Sequence, residues 1–302
     1  MFGSMAEMVQ RARDAGTSCW RVVLDEDLSQ ITLGEDEVLG TLRSRLATMR
    51  EAVALGLEGK TTSLSGLSGG GAHRFRDWSR GAGGGGEGGE RGPLSGPFCA
   101  PMIARALATM EINAAMGRIV ASPTAGSAGI LPAIFLTLEE VRGIDEETLL
   151  RGLITAGGIG GVFRARASLS GAEGGCQAET GSAAAMAAGA VVEMLGGAPA
   201  MVSEAVSFTI QGMLGLICDP LGGLVEIPCI TRNVSAAMQA VAAADMALAG
   251  LTFPIPADEV LDVMGEIGRE LPERYRETGL GGLAATPTGQ LLKIQVMGGE
   301  LA

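Results

Sequence analysis

Five cysteines, one histidine and two lysines bound the chemistry open to this 302-residue chain. Three of the cysteines, Cys176, Cys218 and Cys229, sit in stretches rich in glycine and proline: SGAEGGCQAETG at 170–181 and CDPLGGLVEIPC at 218–229. Irregular backbone of that kind leaves amides free to donate to sulfur, which is how proteins hold and tune iron-sulfur clusters. Buried structural cysteine and a zinc site are the competing readings, although close CxxC pairs are absent. Cys19 beside Trp20 and Cys99 beside Phe98 read as core packing. His73 is the only imidazole, so a multi-histidine metal site is excluded. It has the ordinary pKa for a general base, yet it lies in a glycine-rich segment where a solvated bystander is expected. A Schiff-base lysine would have to be Lys60 or Lys293, which argues against a pyridoxal enzyme.

Other motifs lack the context their chemistry needs. ALGLEGKTT at 54–62 resembles a P-loop, but a helix precedes it and a glycine-rich loop follows, where a strand and then a helix are required. GLSGG around Ser68 imitates a nucleophile elbow without a strand before it, and with its only histidine five residues away. GAGGGG at 81–86 has no βαβ pattern around it. With 34 acidic against 22 basic side chains the formal charge is −12, a sign that repels phosphate backbones and makes nucleic acid an unsuitable partner. The N-terminal segment is charged and amphipathic rather than a signal sequence, and no charge-free apolar run reaches eighteen residues, so the sequence predicts a cytoplasmic protein without a membrane span.

The elements that must position these residues are helices. At residues 35–56, Leu39, Leu42, Leu46, Met49 and Val53 recur at steps of three and four, the stripe of an amphipathic helix. Helical periodicity then runs over 101–117, 132–142, 146–166, 180–195, 200–216, 231–250 and 258–270, with Asp145 as an N-cap followed by Glu146 and Glu147. SAAAMAAGAVVEML and VSAAMQAVAAADMALAG carry small residues all round, as suits helices buried on several faces. Residues 63–97 predict a long loop, with 81–89 a flexible glycine-rich stretch inside it. The expected fold is all-α: one multi-helix catalytic domain over 1–302, with Gly/Pro hinges surrounding an iron-sulfur cluster.

GAEGGCQAETGSAAAMAAGAVVEMLGG, LGLICDPLGGLVEIPCITRN, EINAAMGRIVASPTAGSAG and the closing ETGLGGLAATPTG together resemble the α chain of the iron-sulfur-dependent L-serine dehydratases. The cysteine separations, 42 and then 11 residues, agree with that family's ligand pattern. The resemblance implies a 4Fe-4S cluster on Cys176, Cys218 and Cys229 with one iron left open, and β-elimination of water from L-serine to give pyruvate and ammonia. It also implies a β chain, which carries a Ser-Ser-His-Thr segment absent here, and hence a hetero-oligomer whose β chain supplies a histidine base. The chain departs from the family at Gly71, where an aspartate is usual. The 122–132 hinge offers backbone amides and hydroxyls at Thr124, Gly126 and Ser127 for a substrate carboxylate. Besides His73, the carboxylates Glu111, Glu173 and Glu179 lie near the motifs as candidate bases. Two other readings stand beside this one: a related lyase acting on L-cysteine, and a non-catalytic cluster-binding protein.

Overall fold

The computed structural model describes residues 2–81 and 92–297. Thirteen α-helices occur among them, and the only ladder contacts are two isolated bridges, Thr62 with Gly69 and Cys218 with Arg276. The all-α expectation therefore holds. Of the glycine stretch expected to be flexible, 82–89 lies outside the described residues. No described helix is long and apolar enough to cross a membrane.

Helix α1 (Met5–Asp14), α2 (Cys19–Gln30) and α3 (Glu35–Leu57) open the chain. α4 (Gly71–Ser79) and α5 (Gly96–Ala114) follow, then α6 (Ile130–Arg142), α7 (Glu146–Arg166) and the four-residue α8 (Gly171–Gly174). α9 (Ser182–Met194), α10 (Pro199–Gln211), α11 (Cys229–Leu248), α12 (Ala257–Glu270) and α13 (Pro287–Met297) complete the chain. α9 is the axis. Every one of its residues except Glu193 is buried, and α6, α7, α10 and α11 surround it. Its alanines keep helix propensity high while leaving so little side chain that neighbours approach closely. A Cβ added at Gly189 would lie 2.4 Å from Ile159 Cδ1. The helix stops at Gly196, whose φ of +78° only glycine adopts at little cost.

α7 begins as its sequence predicts, with the Asp145 side chain accepting from the Thr148 amide at 2.8 Å. Two expectations need correction. α5 starts at Gly96 rather than at Pro101, because Pro97 occupies its first turn, where a missing N–H costs nothing. Residues 71–79, expected to be loop, form α4. Gly70 turns the chain in at φ +68°, and the buried Glu111 carboxylate accepts from the amides of Gly71 at 2.7 Å and Ala72 at 3.3 Å, capping the helix from a distant element.

Cys19 is fully buried in the main core, and Cys99 is half-buried against it. The Cys19 thiol is pushed up to about 12 by burial and by the neighbouring Glu193 carboxylate, which leaves it protonated and inert.

Candidate functional site

The N-terminal end of α9 is where the chemistry converges. After α8, Gly175 adopts φ +76°, and a Cβ there would meet Leu271 Cδ1 at 2.7 Å and the Leu216 carbonyl at 2.8 Å, so only glycine lets the chain turn into Cys176. One turn of π-helix, Gln177–Gly181, then leads into α9. Such a widened turn is a common feature of functional sites. Here its Glu179 stands beside Cys176 and Cys218, the ligand atoms of all three lying within 4.8 Å of one another and all three residues buried.

Cys218 is brought in by backbone pairing. Its amide donates to the Tyr275 carbonyl at 2.8 Å, and its carbonyl accepts from the Glu277 amide at 2.9 Å. That pairing delivers the Glu277 carboxylate to the same place, with Glu277 held in the left-handed region at φ +65°. A non-glycine residue there is a strained conformation that the pairing must sustain. Opposite stands Gly171, where a Cβ would meet Cys218 Sγ and Glu277 Oε2 at 3.1 Å and Glu179 Oε2 at 3.4 Å. A thiol and two carboxylates thus border a space left open by a missing side chain.

Cys229 is the first residue of α11, 4% exposed and outside the tight triad. The charges of Cys176, Glu179, Arg232 and Glu277 act on its thiol. Its pKa is raised chiefly by burial. Within the Cys176–Cys218 pair the proton stays on Cys218: the Cys218 S–H donates to Cys176, which is lowered, and Cys218 is correspondingly raised. Thr180 and Arg232 also favour the Cys176 thiolate.

The 122–132 hinge reaches the site as well. Thr124 Oγ1 donates to Glu179 Oε1 at 2.6 Å, and the Gly126 amide also favours that carboxylate; Thr124 and Ser127 hydroxyls lie 3.1 Å apart. The hinge thus holds a carboxylate, and in the structure that carboxylate is Glu179. Burial raises the Glu179 pKa, with Glu277 adding to the shift and the Thr124 hydroxyl opposing it. Asn233, fully buried, locks the hinge to α11: its Nδ2 donates to the Gly126 carbonyl at 2.7 Å and the Cys229 carbonyl at 2.8 Å, while its Oδ1 accepts from the Gly129 amide at 3.0 Å.

The other residues singled out by the sequence lie elsewhere. His73 is in α4, with Nδ1 on the Leu57 carbonyl at 3.0 Å and Nε2 on Asp77 at 3.0 Å, none of them a residue of the cysteine site. Glu111 caps α4, and Glu173 accepts from the Ser168 hydroxyl on an exposed turn. Glu179 alone among the candidate bases stands at the thiols. Sequence reasoning missed Glu277, Arg232 and Asn233. All three occur inside the strings that carried the resemblance, but no spacing rule links residue 277 to residue 218.

Thiol sulfur selects soft metals, zinc or iron-sulfur clusters over hard cations. Three buried cysteines on two hinges, one favoured as thiolate, beside a glycine that leaves room, form a donor set that fits a cluster. The profile of the family "Serine dehydratase alpha chain" matches residues 14–284. The chain is 44% identical to the "Probable L-serine dehydratase, alpha chain" of Bacillus subtilis over 100% of its own length and 97% of that protein. It is 40% identical to the "L-serine dehydratase, alpha chain" of Peptoniphilus asaccharolyticus, over 97% of each. It is also 45% identical to the "L-serine dehydratase TdcG" of Escherichia coli, matching 59% of this chain and 40% of that longer protein. Joined to a cysteine site built at the end of a buried, alanine-rich helix, these matches place the chain in the serine dehydratase alpha chain family.

Proposed function

We propose that the chain is the α chain of an iron-sulfur L-serine dehydratase that eliminates water from L-serine to an aminoacrylate, whose imine tautomer takes up water again to give pyruvate and ammonia. The observation that carries the reading is the meeting of Cys176 and Cys218 with Glu179 around the open space at Gly171. Cys176, Cys218 and Cys229 would hold a 4Fe-4S cluster. When bound, that cluster supplies a Lewis acid for the departing hydroxyl, which is otherwise a poor leaving group.

The chain's own residues do the rest. The Thr124, Gly126 and Ser127 hinge grips a carboxylate, and the substrate carboxylate takes that place as Glu179 gives it up. Glu179, whose burial favours the protonated form, then holds or accepts a proton at its freed oxygen beside the reacting carbons. Gly171 and the walls of α8 and α9 leave space and exclude bulk water. A β chain completes the enzyme, in keeping with the "alpha chain" names of the full-length relatives and with the longer chain of the TdcG relative.

The test is anaerobic reconstitution of the chain with ferrous iron and sulfide, addition of the β chain, and assay of pyruvate from L-serine. Turnover with a serine-dependent change in the visible spectrum is expected, with loss on exposure to air. A cluster that serine leaves unchanged, with no pyruvate formed, refutes the dehydratase reading; competition between L-serine and L-cysteine decides between those substrates.

A further inference from the structure

The segment Tyr275 to Ala285 is fastened across the cysteine site at three points. Cys218 pairs with Tyr275 and Glu277 through its amide and carbonyl, and the Leu283 amide donates to Asp219 Oδ2 at 2.7 Å. Gly282, at φ +58°, makes the last contact possible, since a Cβ there would lie 2.2 Å from the same oxygen. Asp219 is 1% exposed, and its other oxygen meets Arg232 Nη1 at 2.7 Å. Arg232 Nη1 also donates to the Ile217 carbonyl at 2.9 Å, beside Cys218, and the guanidinium charge acts on the Cys176 sulfur. A continuous chain of contacts therefore runs from the strap through Asp219 and Arg232 to the backbone beside Cys218, with the guanidinium charge acting on Cys176.

Charge gives this chain a purpose. Glu179 and Glu277 place two carboxyl groups against the thiols, and three metal-bound cysteines would add negative charge of their own. Arg232 is the cation among the charges acting on Cys176 and Cys229. A guanidinium placed this deep needs a carboxylate partner and a fixed direction, and Asp219 supplies both. We propose that Arg232, oriented by Asp219, is the positioning residue that keeps Cys176 in place as a metal ligand and balances the charge of a cluster held there. The inference rests on the iron-sulfur reading above and goes beyond it by assigning a role to residues that are not ligands.

The experiment uses the full-length chain, reconstituted anaerobically, as wild type, as Arg232→Met, as Arg232→Lys, and as the double variant Asp219→Asn with Arg232→Met. The double variant leaves no unpaired buried carboxylate, so it separates the effect on the thiol from any failure to fold. Iron per chain, the rate of iron release to a ferrous chelator and the reduction potential are measured. Arg232→Met and the double variant should release iron about tenfold faster or more, with a more negative potential because the cation that favours the reduced cluster is gone. Arg232→Lys, which keeps the charge and loses the fork, should restore the potential and part of the retention. Wild-type release and potential in both Met-bearing variants would overturn the inference while leaving a wild-type chain that loads iron and turns over serine as before. A wild-type chain that takes up no iron refutes the cluster reading and this inference together.

Discussion

Replacing Gly126 by alanine tests the hinge at the place where the site is most crowded. A Cβ at residue 126 would lie 2.5 Å from Glu179 Oε1 and 2.6 Å from its Cδ and Oε2. To reach an ordinary contact of 3.4 Å the carboxylate must retreat by roughly 0.9 Å. A retreat directed away from Thr124 stretches its bond from 2.6 Å towards about 3.5 Å, outside ordinary hydrogen-bond range. Overpacking of this kind costs about 1–3 kcal/mol, and losing the Thr124 hydrogen bond costs about 0.5–1.5 kcal/mol. Both figures describe one displacement and are not added. A shift of roughly 1 Å at a reacting group lowers turnover by about a hundredfold. Gly157 in α7 is the control, because a Cβ there meets nothing within 4 Å on an exposed helix face. Gly157→Ala should stabilise by about 0.5–1 kcal/mol through helix propensity and leave activity alone. Thermal melting and serine turnover of the two variants decide the matter. A Gly126→Ala protein that melts and turns over like the wild type would show that Glu179 is not held by the hinge.

Cys176→Ala, Cys218→Ala and Cys229→Ala should each sharply lower iron content after reconstitution, whereas Cys19→Ala and Cys99→Ala should leave it unchanged; equal loss from Cys99→Ala would mean a different ligand set. Native Cys19 should resist alkylation at mildly alkaline pH, read by mass spectrometry, because its thiol stays protonated up to about 12. Asn233→Ala strands the Gly126 carbonyl and the Gly129 amide, so it should destabilise by about 2–4 kcal/mol in denaturant titration. Glu111, Glu179 and Glu193 are each raised, in every case first by burial. Their stabilising contribution is therefore full below the ordinary carboxylate pKa of about 4.3 and is lost as pH rises through their higher folded values. Glu193→Gln, which keeps the acceptor for the Cys19 amide and removes one ionisation, should flatten that decline in a melting series across acidic pH.

The helices were legible wherever local pattern and burial agree. The stripe at Leu39, Leu42, Leu46, Met49 and Val53, the Asp145 cap and the all-round small residues of α9 each state their own structure. α4 was not legible, because its cap comes from Glu111, forty residues away from Gly71. The π-turn at Gln177–Gly181 has no local signal either, since it is held by contacts such as the Gln177 side chain accepting from the Gly215 amide at 2.8 Å. At the site, the cysteines could be named from their hinges, and the structure brings Cys176 and Cys218 together. Glu277 and Arg232 could not, because their place depends on pairing between segments that only the finished fold brings together. The carboxylate-gripping character of Thr124 and Gly126 was visible in the residue types; that Glu179 is the group gripped in the structure was not.

The strap from Tyr275 to Ala285 also sets an order of events during synthesis. The main core draws its buried residues from Phe2 to Met264, so it can condense before the strap has left the ribosome. At that stage all three hinge cysteines are already made, yet the amide and carbonyl of Cys218 and one oxygen of Asp219 still lack their partners. The nascent chain therefore folds first and closes last. Whatever is delivered to the thiols meets an uncovered surface until the strap emerges and docks, and afterwards its exit requires three backbone-anchored contacts to open together.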